Sequence, residues 1–153
     1  MFSDRKKCLS TLLVLAIIIT LCFIWGNSMQ SREVSSNVSN GPLELINKYL
    51  ALIGIVLKDD HFIRKLAHFC EFAVLGIEVY FLAALHVKKL NNRILASLCL
   101  CLLVAAIDET IQYFSGRACR FSDVMLDFSG SICAVVGVRS LNNVIVKRLN
   151  NSR

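Results

Sequence analysis

Residues 108–130 read DETIQYFSGRACRFSDVMLDFSG. An apolar run over 94–107 leads into the adjacent carboxylates of Asp108 and Glu109. A short loop with Arg117 and Arg120 follows, and Asp123 and Asp127 then open another apolar run. Charge this close to hydrocarbon is costly, so such residues are functional candidates. A second cluster, Lys65, His68 and Glu71, opens an earlier apolar run.

The rest of the chain sets the frame for these two clusters. Of its 153 residues 56% are hydrophobic and one is proline, and the apolar residues come in repeated long runs. A bilayer-spanning helix needs about 20 such residues. We therefore expect one all-α polytopic membrane domain over 1–153 and no soluble domain. The net charge of +6 does not point to nucleic acid, because the basic residues sit at the ends of apolar runs, where they act as topology signals and interfacial anchors. The seven cysteines contain no C-x-x-C pair and lie mostly in or beside apolar runs, where a thiol behaves as a small hydrophobe.

Arg5, Lys6 and Lys7 precede an uncharged apolar run over 8–25. Charge then apolar run is also the pattern of a signal peptide, but no small-x-small cleavage site follows, which favours an uncleaved first span. After a Ser- and Asn-rich loop, Leu43, Ile46, Leu50, Ile53 and Leu57 recur at helical spacing. The segment 43–57 is too short to span at about 1.5 Å per residue and is expected to be a short interfacial or packing helix. Further spans are expected over 66–87, 94–114 and 123–138, followed by a basic tail over 139–153. Four spans put both termini on one side, with Arg5, Lys6, Lys7, Lys88, Lys89, Arg93, Lys147 and Arg148. The positive-inside rule makes that side cytoplasmic.

This topology brings the clusters to one level. The second and fourth spans run inward from the outer face and the third runs outward. At about 1.5 Å per residue, His68 lies roughly 4 Å below that face, Glu71 and Asp108 roughly 9 Å, and Asp127 roughly 6 Å. Lys65, His68 and Glu71 follow an i, i+3 stripe. Asp108 and Gln112, like Asp123 and Asp127, are i, i+4 neighbours, and Glu109 is i, i+3 from Gln112. Facing lipid, each carboxylate costs several kcal/mol; facing one another they meet Lys65, His68, Arg117 and Arg120. The plain alternative is a set of ion pairs that pin helices together. So many groups on three helices favour a site.

At these residues the sequence resembles the VanZ-like family of small bacterial membrane proteins. The matching pieces are Lys65-x-x-His68-Phe69-x-Glu71-Phe72-x-x-Leu75-Gly76, Asp108-Glu109-x-x-Gln112, Arg117, and Asp123-Val124 with Gly130 and Gly137. They span about residues 60–138. One position departs: near Asp127 the family pattern has asparagine. The resemblance implies work at the bacterial cell envelope; the family's founding member is linked with resistance to the glycopeptide teicoplanin, which by itself does not make this chain a resistance protein.

Three functions fit the residues. In the first, the protein is an enzyme acting on a lipid-linked envelope molecule, such as a cell-wall precursor, at the outer face. His68 is then the base, Glu71, Asp108, Glu109, Gln112, Asp123 and Asp127 complete the catalytic cluster, and Lys65, Arg117 and Arg120 hold an anionic head group. In the second, the same pocket binds an envelope lipid or a lipoglycopeptide without chemistry. In the third, the chain is a small dimeric transporter, for which four spans are few. No cofactor motif occurs. A divalent ion on His68, Glu71, Asp108 and Asp123 is a variant that the same residues allow. Membrane lipid is the expected partner, a homo-oligomer is compatible, and nucleic acid is not expected.

Overall fold

The computed structural model describes residues 2–30, 41, 44–45, 47–48, 61–118 and 120–151. Among them are four long helices and no strand: α1 (Phe2–Ser28), α2 (His61–His86), α3 (Leu90–Phe114) and α4 (Phe121–Asn151). All four are long and apolar enough to cross a membrane. The short helix expected over 43–57 falls almost wholly outside the described residues. Glu44, Leu45, Asn47 and Lys48 are helical but too few to define it.

The bundle is arranged for a lipid surround. Large apolar side chains face outward on every helix, among them Ile19, Phe23, Phe81, Leu103 and Val136. The core joins Ile24 of α1 to Phe72, Leu75 and Val79 of α2 and to Cys101, Val104 and Ala105 of α3. Helix α2 is central and packs most extensively on α4. Two glycines set that contact. A Cβ on Gly76 would stand 3.0 Å from the backbone of Ser131, and one on Gly130 would run into the carbonyl oxygen of Phe69. The Ser131 hydroxyl donates to the Phe72 carbonyl at 2.9 Å. Small residues and an interhelical hydrogen bond replace the hydrophobic drive that lipid does not supply between helices.

The connections follow from local chemistry. Between α2 and α3, Arg93 turns back and donates from Nε to the Val87 carbonyl and from Nη2 to the Lys88 carbonyl at 3.2 Å. Its positive charge thus meets the carbonyls at the negative end of α2. Helix α3 ends through Gly116, whose φ of 78° is the left-handed value that glycine adopts without a Cβ penalty. Gly116 N–H donates to Tyr113 and Arg117 N–H to Gln112, both at 3.1 Å. This Schellman pairing closes the helix and fixes where Arg117 starts.

Helix α1 runs through Ser28, past the end of its apolar run, because Asn27 and Ser28 find polar partners on α2 and α3. Helix α4 stays helical to Asn151, well beyond its apolar stretch. At one end of the bundle the Ser10 hydroxyl meets His86 Nε2 at 3.0 Å. At the other end Asn27 and Ser28 meet the second half of α3 and the first half of α2. The candidate residues collect at this second end.

Candidate functional site

Asp108, Glu109 and Gln112 occupy the last turns of α3, and all three are buried there. Gln112 Nε2 donates to Asp108 Oδ2 at 2.7 Å and reaches the Ser28 hydroxyl at 3.4 Å. Asp108 is completely buried, and its Oδ1 has no hydrogen-bond partner. Glu109 accepts from the backbone N–H of Arg120 and so ties the α3–α4 loop back to the helix.

His68 and Glu71 face this pair from α2. His68 Nδ1 stands 3.6 Å from Glu71 Oε2 and 4.0 Å from Asp108 Oδ2, too far for a hydrogen bond to either. Glu71 is anchored through its other oxygen, which accepts from Asn27 Nδ2 at 3.0 Å. Helix α4 brings Asp127, which is 2% exposed. His68, Asp108 and Asp127 each present a ligand-type atom, and these atoms all lie within 4.8 Å of one another. Asp123, one turn nearer the rim, pairs instead with Lys65 at 2.9 Å. The ligand set expected from sequence contained Asp123. The structure gives the inner position to Asp127.

The loop and the start of α2 form a basic rim. A cavity of about 90 Å³ is lined by His61, Arg64, Gln112, Arg117, Arg120 and Asp123. A smaller space of about 30 Å³ lies against Arg64, Lys65, His68, Arg117 and Asp127. Burial, and then the charge of Arg64, pull Arg117 below the usual arginine range, while Asp108, Glu109 and Asp123 oppose that shift. Arg117 Nη1 is buried without a hydrogen-bond partner. Two guanidinium groups held close in a half-buried rim repel each other, and an anion between them would relieve the repulsion. Arg120 also lines this cavity, and its backbone N–H serves Glu109.

All ten residues singled out from sequence therefore lie at one end of the bundle, in an inner acidic group around His68 and an outer basic rim. Asn27, Ser28, His61 and Arg64 also lie at this end. Asn27 and Ser28 follow the first apolar run and have the polar character of a loop. His61 begins the stripe His61, Arg64, Lys65, His68 at i, i+3, i+4, i+7, which is a legible signal.

The fold and the site define a multi-pass α-helical membrane protein that carries a buried polar cluster at one end of its bundle. The VanZ/LLP1 family model matches residues 12–142, and the chain belongs to that family. No curated protein and no solved structure matches it.

Proposed function

We propose that this VanZ/LLP1 protein holds the phosphate-bearing head group of a lipid-linked envelope molecule at the outer face of the bacterial cell membrane. The carrying observation is the basic rim: Arg64, Arg117 and Arg120 around one cavity, with Arg117 Nη1 buried and lacking a partner. Forked guanidinium hydrogen bonds suit a phosphate, and the tail of such a lipid would lie along the apolar outside of the bundle. The orientation rests on Arg5, Lys6, Lys7, Lys88, Lys89 and Arg93 at the opposite end, which the positive-inside rule makes cytoplasmic together with both termini.

The deciding experiment reconstitutes the full chain in nanodiscs with polyprenyl phosphate and measures retention of that lipid by native mass spectrometry. Arg117→Gln is expected to weaken retention at least tenfold against a neutral lipid control. Equal retention by the wild type and Arg117→Gln removes the proposal.

A catalytic role for the same site is favoured by His68 standing between Glu71 and Asp108 at 3.6 and 4.0 Å. The imidazole is the group able to take a proton from water or a substrate hydroxyl beside a bound phosphate. Turnover of labelled lipid-linked precursor that vanishes in His68→Gln, with lipid retention kept, marks an enzyme. Retention without turnover in the wild type marks a binding protein.

A further inference from the structure

We infer that His68, Asp108 and Asp127 form a binding site for one divalent transition-metal cation, of the manganese or zinc type, at the inner end of the pocket. The inference deepens the head-group reading and rests on the same pocket. Three observations carry it.

The first is geometry. The ligand-type atoms of His68 on α2, Asp108 on α3 and Asp127 on α4 lie within 4.8 Å of one another, and His68 Nδ1 is 4.0 Å from Asp108 Oδ2. Two ligands at about 2.1 Å from one ion are separated by at most about 4.2 Å. Small side-chain rotations therefore close the set on an ion.

The second is unmet bonding capacity in a buried place. Asp108 is 0% exposed, yet its Oδ1 accepts no hydrogen bond, and neither does His68 Nδ1 make one. An orphaned carboxylate oxygen in a bundle interior is costly, and a cation would recover that cost. Gln112 fixes the same carboxylate through Oδ2. A space of about 30 Å³ lies against His68 and Asp127, which is room for an ion or a water.

The third is charge. Asp108, Glu109, Asp123 and Glu71 act on Asp127 as like charges, while the cations acting on the group, Arg117 and Arg64, belong to the rim. Lys65 is engaged at the rim by Asp123, so it does not serve the interior. The carboxylates outnumber these cations, and buried charges are tolerated when they are paired or coordinate a metal.

One imidazole with two carboxylates suits a borderline divalent ion such as Mn2+ or Zn2+ better than Ca2+, which takes an all-oxygen shell. Three protein ligands leave coordination positions for water or a phosphate oxygen. The basic rim opens beside them, so a bound head group would be gripped by Arg117 on one side and by the ion on the other.

The test uses chelator-treated full-length protein in detergent, with Mn2+ alone as the probe and binding read from loss of its free electron-spin resonance signal. The expected result is one ion per chain in the wild type, with affinity at least tenfold weaker in Asp108→Asn and Asp127→Asn and little changed in Asp123→Asn. Equal weakening in Asp123→Asn would mean diffuse attraction to an acidic patch and would overturn the site. So would unchanged binding in both inner variants, or no binding at millimolar Mn2+. Should the inner variants not fold, the wild-type complex still decides: spin-echo modulation is expected to show a directly bound nitrogen, and its absence overturns the assignment. Polyprenyl phosphate retention by chelated protein is measured in parallel. If retention survives while Mn2+ binding fails, only the metal site is lost. If Mn2+ binds and lipid is not retained, only the head-group reading is lost.

Discussion

Gln112 holds Asp108 from one helical turn away, its Nε2 donating at 2.7 Å to a carboxylate with no solvent exposure. The same amide reaches the Ser28 hydroxyl, so one side chain links α3 to the end of α1 and orients the deepest acid of the pocket. Removing the amide leaves a buried carboxylate with less compensation, a change worth about 1–3 kcal/mol. Gln112→Leu is therefore expected to lower the melting temperature by several degrees in a thermal scan in detergent. An unchanged melting point would show that the link bears no stability.

Gly130 marks the closest approach of α4 to α2. A methyl group there collides with the Phe69 carbonyl, a backbone atom that cannot swing aside. Overpacking of this kind costs about 1–3 kcal/mol. Gly130→Ala should separate the two helices and reduce folded yield. Gly137→Ala on the same helix should be tolerated, since nothing lies within 4 Å of the position. Detergent size-exclusion profiles and melting curves of the two variants check the contrast. Equal behaviour would refute the close contact.

The Lys65–Asp123 pair sits at the rim at 2.9 Å, with side-chain exposures of 33% and 22%. Solvent screens such a pair, and exposed ion pairs are typically worth about 0.2–1 kcal/mol. A double-mutant cycle with Lys65→Met and Asp123→Asn is expected to return a coupling in that low range. A coupling several times larger would mean that the pair is buried in the membrane and central to the fold.

Glu78 lies away from the pocket, and Thr20 of α1 donates to its Oε1 at 3.1 Å. Hydrogen bonds between membrane helices average about 0.6 kcal/mol. Thr20→Val should lower stability by about that amount, and Glu78→Gln, which keeps an acceptor for Thr20, should cost less still. Steric-trap or denaturant unfolding of both variants provides the comparison. A larger loss in Glu78→Gln would show that the carboxyl group itself is needed.

Much of this arrangement is legible in the sequence. The apolar runs mark four helices, and the rise per residue places His68, Glu71, Asp108 and Asp127 at similar depth once their directions alternate. The end of α1 is harder to read. Asn27 and Ser28 look like a loop because hydropathy falls there, and they are helical because Glu71 and Gln112 offer them partners. Those partners are far away in sequence.

Composition and spacing by themselves determined that the chain is helical, that its helices are long and apolar enough to cross a membrane, and that its polar groups share one end. These follow from the cost of bare backbone and charge in hydrocarbon, which is local and additive. Only the tertiary structure decided which acid of the α4 pair turns inward. Asp123 and Asp127 lie on one stripe, but Asp123 meets Lys65 at the rim while Asp127 enters the group with His68 and Asp108. That choice depends on how closely α2 and α4 approach at Gly76 and Gly130, and on the rotation of each helix about its axis. Both are set by packing between segments distant in the chain.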